Sequence, residues 1–405
     1  MQIVICILAS IVAGFSVLMP VRGWSEANLS WNLNDVTFLF NIPGKEANDL
    51  SQLLAPTAMG PKGVLLPKSI YEQVPPLVAA GAGNETYYNK NLRVVAVRFD
   101  PCASDQCEPE FRMVWQPIEK NVKTGEWEAL DAAVHSFYRL SEIQREAVSH
   151  RLWSLKIESE SWGVTTTGVP LNIHPALMNL NYADQFNQKL LQMLVEFCGE
   201  ENLYQLTFME LLVPSRWWRF GGFKKNNQKQ WQAFEVPRIG ALTEDIFNTG
   251  FEEGSSYQVP GKAMDAVFNV LPDDYPEEDI IYPIINRGDR KNNESDEPIF
   301  KELFRPIERF RNPKFTNSNN LDCASCHYAD AARFFSEQRF PRLKNFQVAE
   351  AFENPNPQDF DLTNTTIAKE ATRIVRALGY FVDQPAINQR TINESAVSAS
   401  WLNNN

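Results

Sequence analysis

Histidine and cysteine are scarce in this chain. Four histidines and six cysteines occur in 405 residues, so thiol and metal chemistry has few places to reside. Positive charge is also short. Thirty-eight Lys and Arg face fifty Asp and Glu, a formal net charge of −12. That excludes nucleic-acid binding, which needs a basic surface, and it argues against attraction to anionic membranes, while leaving a cationic partner protein open. Beyond Val21 no apolar run approaches the roughly 20 residues needed to span a bilayer. There is no internal repeat, no phosphate-cradling glycine loop, and no G-x-S-x-G or H-E-x-x-H motif. The many paired carboxylates read as a solvated acidic surface rather than glycosidase chemistry.

What is present is enough apolar residue to bury a core: 44% hydrophobic, 12% aromatic, with 25 prolines to break the chain into loops. Ile3–Val21 carries no charge, and Val21-Arg22-Gly23 offers small residues at −3 and −1 for cleavage before Trp24. Residues 1–23 therefore read as a signal peptide, although no Lys or Arg precedes Ile3; an uncleaved N-terminal anchor is the alternative. Either places the chain in the bacterial periplasm or outside the cell, touching a membrane only through that segment.

The expected fold class is α+β, because strand-like runs alternate irregularly with helices. Leu92–Phe99 reads as a strand, with Phe111–Gln116 as its partner. Ser141–Lys156 reads as a helix opened by a Ser141/Gln144 capping box, with Ile143, Ala147 and Trp153 at helical spacing. Tyr182–Cys198 is a second helix, striped by Phe186, Leu190, Leu191, Leu194 and Phe197. Leu203–Val213 and Trp231–Pro237 look like strands. Charged Asp273–Pro298 reads as a surface excursion. The division expected is an α+β domain over 24–285, a linker over 286–299 and a small, mostly helical region over 300–405. Within that last region the clearest helix is Thr365–Phe381, its end weakened by Gly379.

The chemistry lies in Asp322-Cys323-Ala-Ser-Cys326-His327. C-x-x-C-H is the attachment pattern of c-type haem: two thiols add to the two vinyl groups, and the following histidine lies under the iron as axial ligand. At this composition the pattern arises by chance in roughly one such chain in a thousand. Tyr328–Gln338 reads as the helix that would hold the imidazole. The competing readings are a disulfide or redox C-x-x-C, which expects a βαβ context, and a zinc site, for which no further Cys or His is nearby in sequence.

The motif resembles that of the c-type cytochromes. More widely, RFDPC…C…FRMVWQP, HSFYRL, GVPLNIHPAL, WWRFGGF and LDCASCH together resemble a family of secreted bacterial proteins that end in a single cytochrome-like motif. The resemblance implies one covalent haem and export, and no particular activity. One departure from small cytochromes c matters: no Met or His follows His327. A sixth iron ligand must come from upstream or be water, an unusual side chain or nothing. His174, before Pro175, is the first candidate, against the reading of an ordinary loop histidine. His135, His150, Met113 and Met264 are weaker. Arg373, Arg376 and Arg390 are candidate partners for the haem propionates, against the reading of solvent-facing charges.

Cys102 and Cys107 are expected to form a disulfide in a loop between two strands, and Cys198 to be a small buried hydrophobe. Arg216–Phe223 reads as a cation–π-supported turn, with packing on haem or sugar as the rival. The expected function is electron transfer with a possible redox partner protein. The alternatives are an open-site haem protein, peroxidase-like or ligand-binding, and a secreted non-haem binding or structural protein. Whether the chain is an enzyme stays open.

Overall fold

The structure, a computed structural model, describes residues 29–78, 81–104, 106–212, 217–234, 245–247, 297–302, 304–316, 326–327, 329–330, 333–334, 336–337, 340–363 and 376–405. The expected signal segment and most of the linker lie outside these residues. Among them, no helix is long and apolar enough to cross a membrane. Trp31–Asn405 forms one compact unit.

The fold is α+β. Nine antiparallel strands build one sheet: β1 (Thr37–Leu39), β2 (Leu92–Asp100), β3 (Glu110–Lys120), β4 (Trp127–Ala129), β5 (Ala133–Arg139), β6 (Leu203–Leu212), β7 (Trp217–Lys225), β8 (Trp231–Phe234) and β9 (Asp245–Phe247). The main path runs β1-β2-β3-β5-β6-β7-β8, with β4 added to β3 and β9 to β7. Within the stretch read as a turn, Trp217–Phe223 is strand, lying in β7 and paired with β6; Arg216 lies outside the described residues.

Register sorts the sheet into two faces, because successive side chains alternate. One row runs Phe38, Val97, Met113, Ser136, continuing to Leu206 and Phe223. The neighbouring row runs Ala96, Val114, His135, Thr207 and Gly222. On the first face α2 (Ala183–Phe197) packs Phe186 against Phe38, and α1 (Glu142–Ser161) packs against α2. Ser141 accepts from the Gln144 amide while Gln144 caps the Ser141 amide, closing the expected capping box. The buried stripe of α1 is Val148, Leu152 and Leu155, whereas Ile143 is exposed; the apolar spacing that begins at Ile143 follows the outer face.

The second face is covered by the chain's end. A hairpin of β10 (Leu378–Phe381) and β11 (Gln384–Ile387) leads into α3 (Gln389–Asn404). Gln116 holds the hairpin: its Oε1 accepts from Tyr380 N at 2.7 Å and its Nε2 donates to Tyr380 O at 3.0 Å. Along α3, Ser395 Oγ meets Thr37 Oγ1 at 2.7 Å and Glu394 pairs with Arg98. At the far end Asn403 Oδ1 accepts from Trp31 N at 2.7 Å. This helix is legible only weakly in the sequence, because its buried face is made of Thr391, Asn393, Ser395 and Ser398 as well as Ile392, Ala396 and Ala399. The helix expected over Thr365–Phe381 is corrected at its end. Residues 364–375 lie outside the described ones, and Leu378–Phe381 is strand. Gly379 adopts φ of 140° and a Cβ there would lie 2.3 Å from Gln116 Oε1.

Gly379→Ala should therefore lower stability by about 2 kcal/mol, through positive-φ strain and loss of the Gln116 contact. Urea unfolding followed by tryptophan fluorescence measures it; an unchanged midpoint would show that the hairpin does not need this close approach.

Candidate functional site

Cys326 and His327 begin a run whose described positions up to 337 are helical. The start of α3 grips this run. Asn388, the N-cap of α3, accepts from Thr391 N at 2.9 Å and donates from Nδ2 to Cys326 O at 2.8 Å. Gln389 N donates to Asp330 Oδ2 at 2.6 Å. Arg390 Nη2 donates to Thr316 O at 2.7 Å, its Nη1 to Phe310 O at 3.2 Å, and its Nε to Glu394 at 2.9 Å. Asn393 Nδ2 donates to Arg311 O at 2.7 Å. One buried, polar helix end thus fixes the motif segment against the sheet.

That placement sets His327, itself buried, opposite His135 of β5. The two imidazole centroids are 6.2 Å apart and their planes differ by 18°. Phe220 of β7 flanks His327 at 5.2 Å. His135 stays partly exposed although its row neighbours Ala96, Val114, Thr207 and Gly222 are buried. Burial pushes the His135 imidazole well below the ordinary histidine range, helped by repulsion from His327, Arg112, Arg376 and Arg98. It is neutral at physiological pH, the form in which imidazole binds metals.

Three of those arginines share a feature. Arg98 Nε, Arg112 Nε, and Arg376 Nε and Nη1 are buried with no hydrogen-bond partner among the described residues. Arg376 is paired on its remaining side with Asp131, and burial lowers its guanidinium. Arg98 is likewise paired with Glu394 and Asp100, and Arg112 with Glu110, so the spare donors are ones that a further acceptor could satisfy. A c-type haem supplies two carboxylates, two thiol-reactive vinyl groups and an iron. The residues here fit it: Cys326 beside buried His327, a second imidazole opposite, and orphaned arginine donors around that imidazole. Arg390 differs from Arg376, because its donors are spent on Phe310, Thr316 and Glu394; it positions the motif segment. Cys323, Arg373 and Met264 lie outside the described residues. Among the described residues no group of three or more His, Cys, Asp or Glu is arranged to hold a bare metal ion.

The other upstream candidates are elsewhere. His174 is corrected from ligand candidate to core residue. Its ring stacks between Phe38 at 5.2 Å and Phe186 of α2 at 4.5 Å, on the helix-covered face, and its Nδ1 accepts from Ala176 N at 3.1 Å. Met113 is fully buried on that same face. His150 is exposed on α1. Cys102 and Cys107 are joined in a disulfide between β2 and β3. Cys198 is buried, and burial raises its thiol well above the ordinary range. His135, a weaker candidate in the sequence, is the histidine that faces His327. The signal was the alternation in Ala133–Arg139, where histidine stands between buried Val134 and Ser136.

No protein-family model matches the chain, and no curated protein or solved structure matches it either.

His174 generates a pH prediction. Burial pushes it down to about 3, while the unfolded chain protonates near 6.5. The unfolded state therefore binds more protons below that value. Stability should be complete above about pH 6.5 and fall by up to about 1.4 kcal/mol per pH unit on acidification towards 3 from this residue alone. His174→Asn, whose Oδ1 can accept the same backbone N–H, should flatten the acid limb of a stability-versus-pH curve. An equally steep limb would show that other groups set it.

Proposed function

We propose that this chain is an exported monohaem c-type cytochrome-like protein whose haem cycles electrons. The observation that carries the reading is the C-x-x-C-H motif with its histidine buried against the sheet and facing a second imidazole, beside arginines that keep buried donors without a hydrogen-bond partner among the described residues. When bound, the haem supplies a one-electron Fe(III)/Fe(II) couple. The chain's own residues do the rest. Cys323 and Cys326 would hold the porphyrin through thioethers, and His327 would supply a nitrogen to its iron. Arg376, with Arg98 and Arg112, offers charge-assisted hydrogen bonds to propionate oxygens. Asn388 and Arg390 keep the motif helix from shifting, and Phe220 packs beside His327 and limits water. A redox partner protein is the natural counterpart for such a carrier, and export matches the compartment where thioether attachment occurs.

Two measurements test this. The protein made with haem-maturation machinery should keep a haem after acid-acetone extraction and show intact mass raised by one porphyrin; Cys323→Ala with Cys326→Ala should abolish both. A natural protein with the two sulfurs joined to each other and no added porphyrin would overturn the reading. Arg376→Gln should leave the haem attached and lower its midpoint potential by roughly tens of millivolts, since one nearby charge in a partly buried site is worth on the order of 1 kcal/mol. An unshifted potential would remove Arg376 from the propionate role.

A further inference from the structure

The His135–His327 pair carries an inference beyond covalent attachment. The geometry points to His135 as the second axial ligand, making a six-coordinate haem with an imidazole on each side. This rests on the proposed haem at Cys323, Cys326 and His327.

The spacing is the first argument. A direct N–H···N hydrogen bond between two imidazoles, at about 2.9 Å between nitrogens, puts ring centroids at most about 5.2 Å apart, because each nitrogen lies about 1.1 Å from its centroid. The observed 6.2 Å is longer. Two metal–imidazole bonds of about 2.0 Å each allow centroids up to about 6.2 Å apart, and the observed separation reaches that limit. The ring planes, 18° apart, are nearly parallel, as two imidazoles that share one metal axis can be.

The surroundings are the second argument. His135 sits on a central strand, so its Cα is held by ladders on both sides: Val114 on β3 and Thr207 on β6. No large side chain shares its row, which continues to Ala96 and Gly222. His327 is fixed independently, through the grip of α3 on Cys326 and Asp330. Both imidazoles are thus carried by elements that belong to different ends of the chain. Neither needs a loop to close.

The third argument is elimination. Among the four histidines of the chain, only His135 is available to face His327: His174 lies on the other face of the sheet, and His150 is on the surface of α1. Two protein ligands favour an electron carrier over an open site. Because neither is methionine, the potential should lie below that of a Met/His haem.

The experiment uses the full chain matured with haem attached. Unmutated protein should be low-spin by electron paramagnetic resonance, show the near-infrared magnetic circular dichroism of a bis-imidazole iron, and fail to bind carbon monoxide when reduced. His135→Ala should keep its covalent haem at unchanged stoichiometry, become high-spin, bind carbon monoxide when reduced, and return to low-spin on adding free imidazole. His174→Asn should change none of these. Covalent haem with the same spin state and carbon monoxide response in His135→Ala as in the unmutated protein would overturn this inference alone. A magnetic circular dichroism spectrum of methionine or water ligation in the unmutated protein would do the same, even if the alanine variant failed to fold. Unmutated protein without covalent haem would overturn the proposed function and this inference together.

Discussion

Strand register is the constraint on which the site depends. His135 faces the chain's end only because β5 pairs Val114 on one side and Thr207 on the other. A slip by one residue would exchange His135 for Ser136 and turn the imidazole into the helix-covered core, where apolar rows leave no room for it. The slip is opposed from both faces. Val97, Met113 and Leu206 must stay beneath α1 and α2, and Arg98, Arg112 and Gln116 must stay beneath the hairpin and α3. A core this sided holds one histidine at a fixed height above the sheet.

The second element is the polar character of α3. Most helices dock through an apolar stripe, but this one buries an N-cap asparagine, an arginine, a threonine and two serines. Such groups bind only where partners are placed, so they specify one position where an oily face would tolerate several. Asn388 shows the economy of the arrangement: one side chain caps α3 and holds the Cys326 carbonyl. The motif helix, α3 and the sheet are therefore positioned with respect to one another by hydrogen bonds with fixed directions. That suits an axial ligand pair, whose reorganisation on electron transfer must be small.

Electrostatics at the site runs against the chain's overall charge. The protein is acidic, yet Arg98, Arg112, Arg376 and Arg390 converge on the face that carries His135. Glu394, Asp131 and Glu110 answer part of that charge. Burial pushes Arg98 down to about 9 and Arg390 to about 10, the direction desolvation of a cation gives. The same field disfavours a proton on His135.

Local signals were legible in the sequence where the cause of structure is local. The capping box at Ser141, the stripe of α2 from Phe186 to Phe197, the β2–β3 pairing and the C-x-x-C-H spacing all follow from neighbours a few residues apart. The α+β class follows from their sum. What lay beyond reach is everything set by distant contacts. The strand over Leu378–Phe381 follows a stretch of helical periodicity, yet it is fixed by Gln116, more than 250 residues away in the chain; α3 is too polar to announce itself as buried. His174 looked the better ligand because Pro175 fixes its backbone, but the aromatic sandwich of Phe38 and Phe186 claims its ring. His135 came to face His327 only because the sheet turned it that way. The sequence by itself determined that one imidazole follows two thiols, since covalent spacing is a one-dimensional property. The tertiary structure decided which imidazole stands opposite, because that choice depends on strand register and helix docking, and no local pattern encodes either.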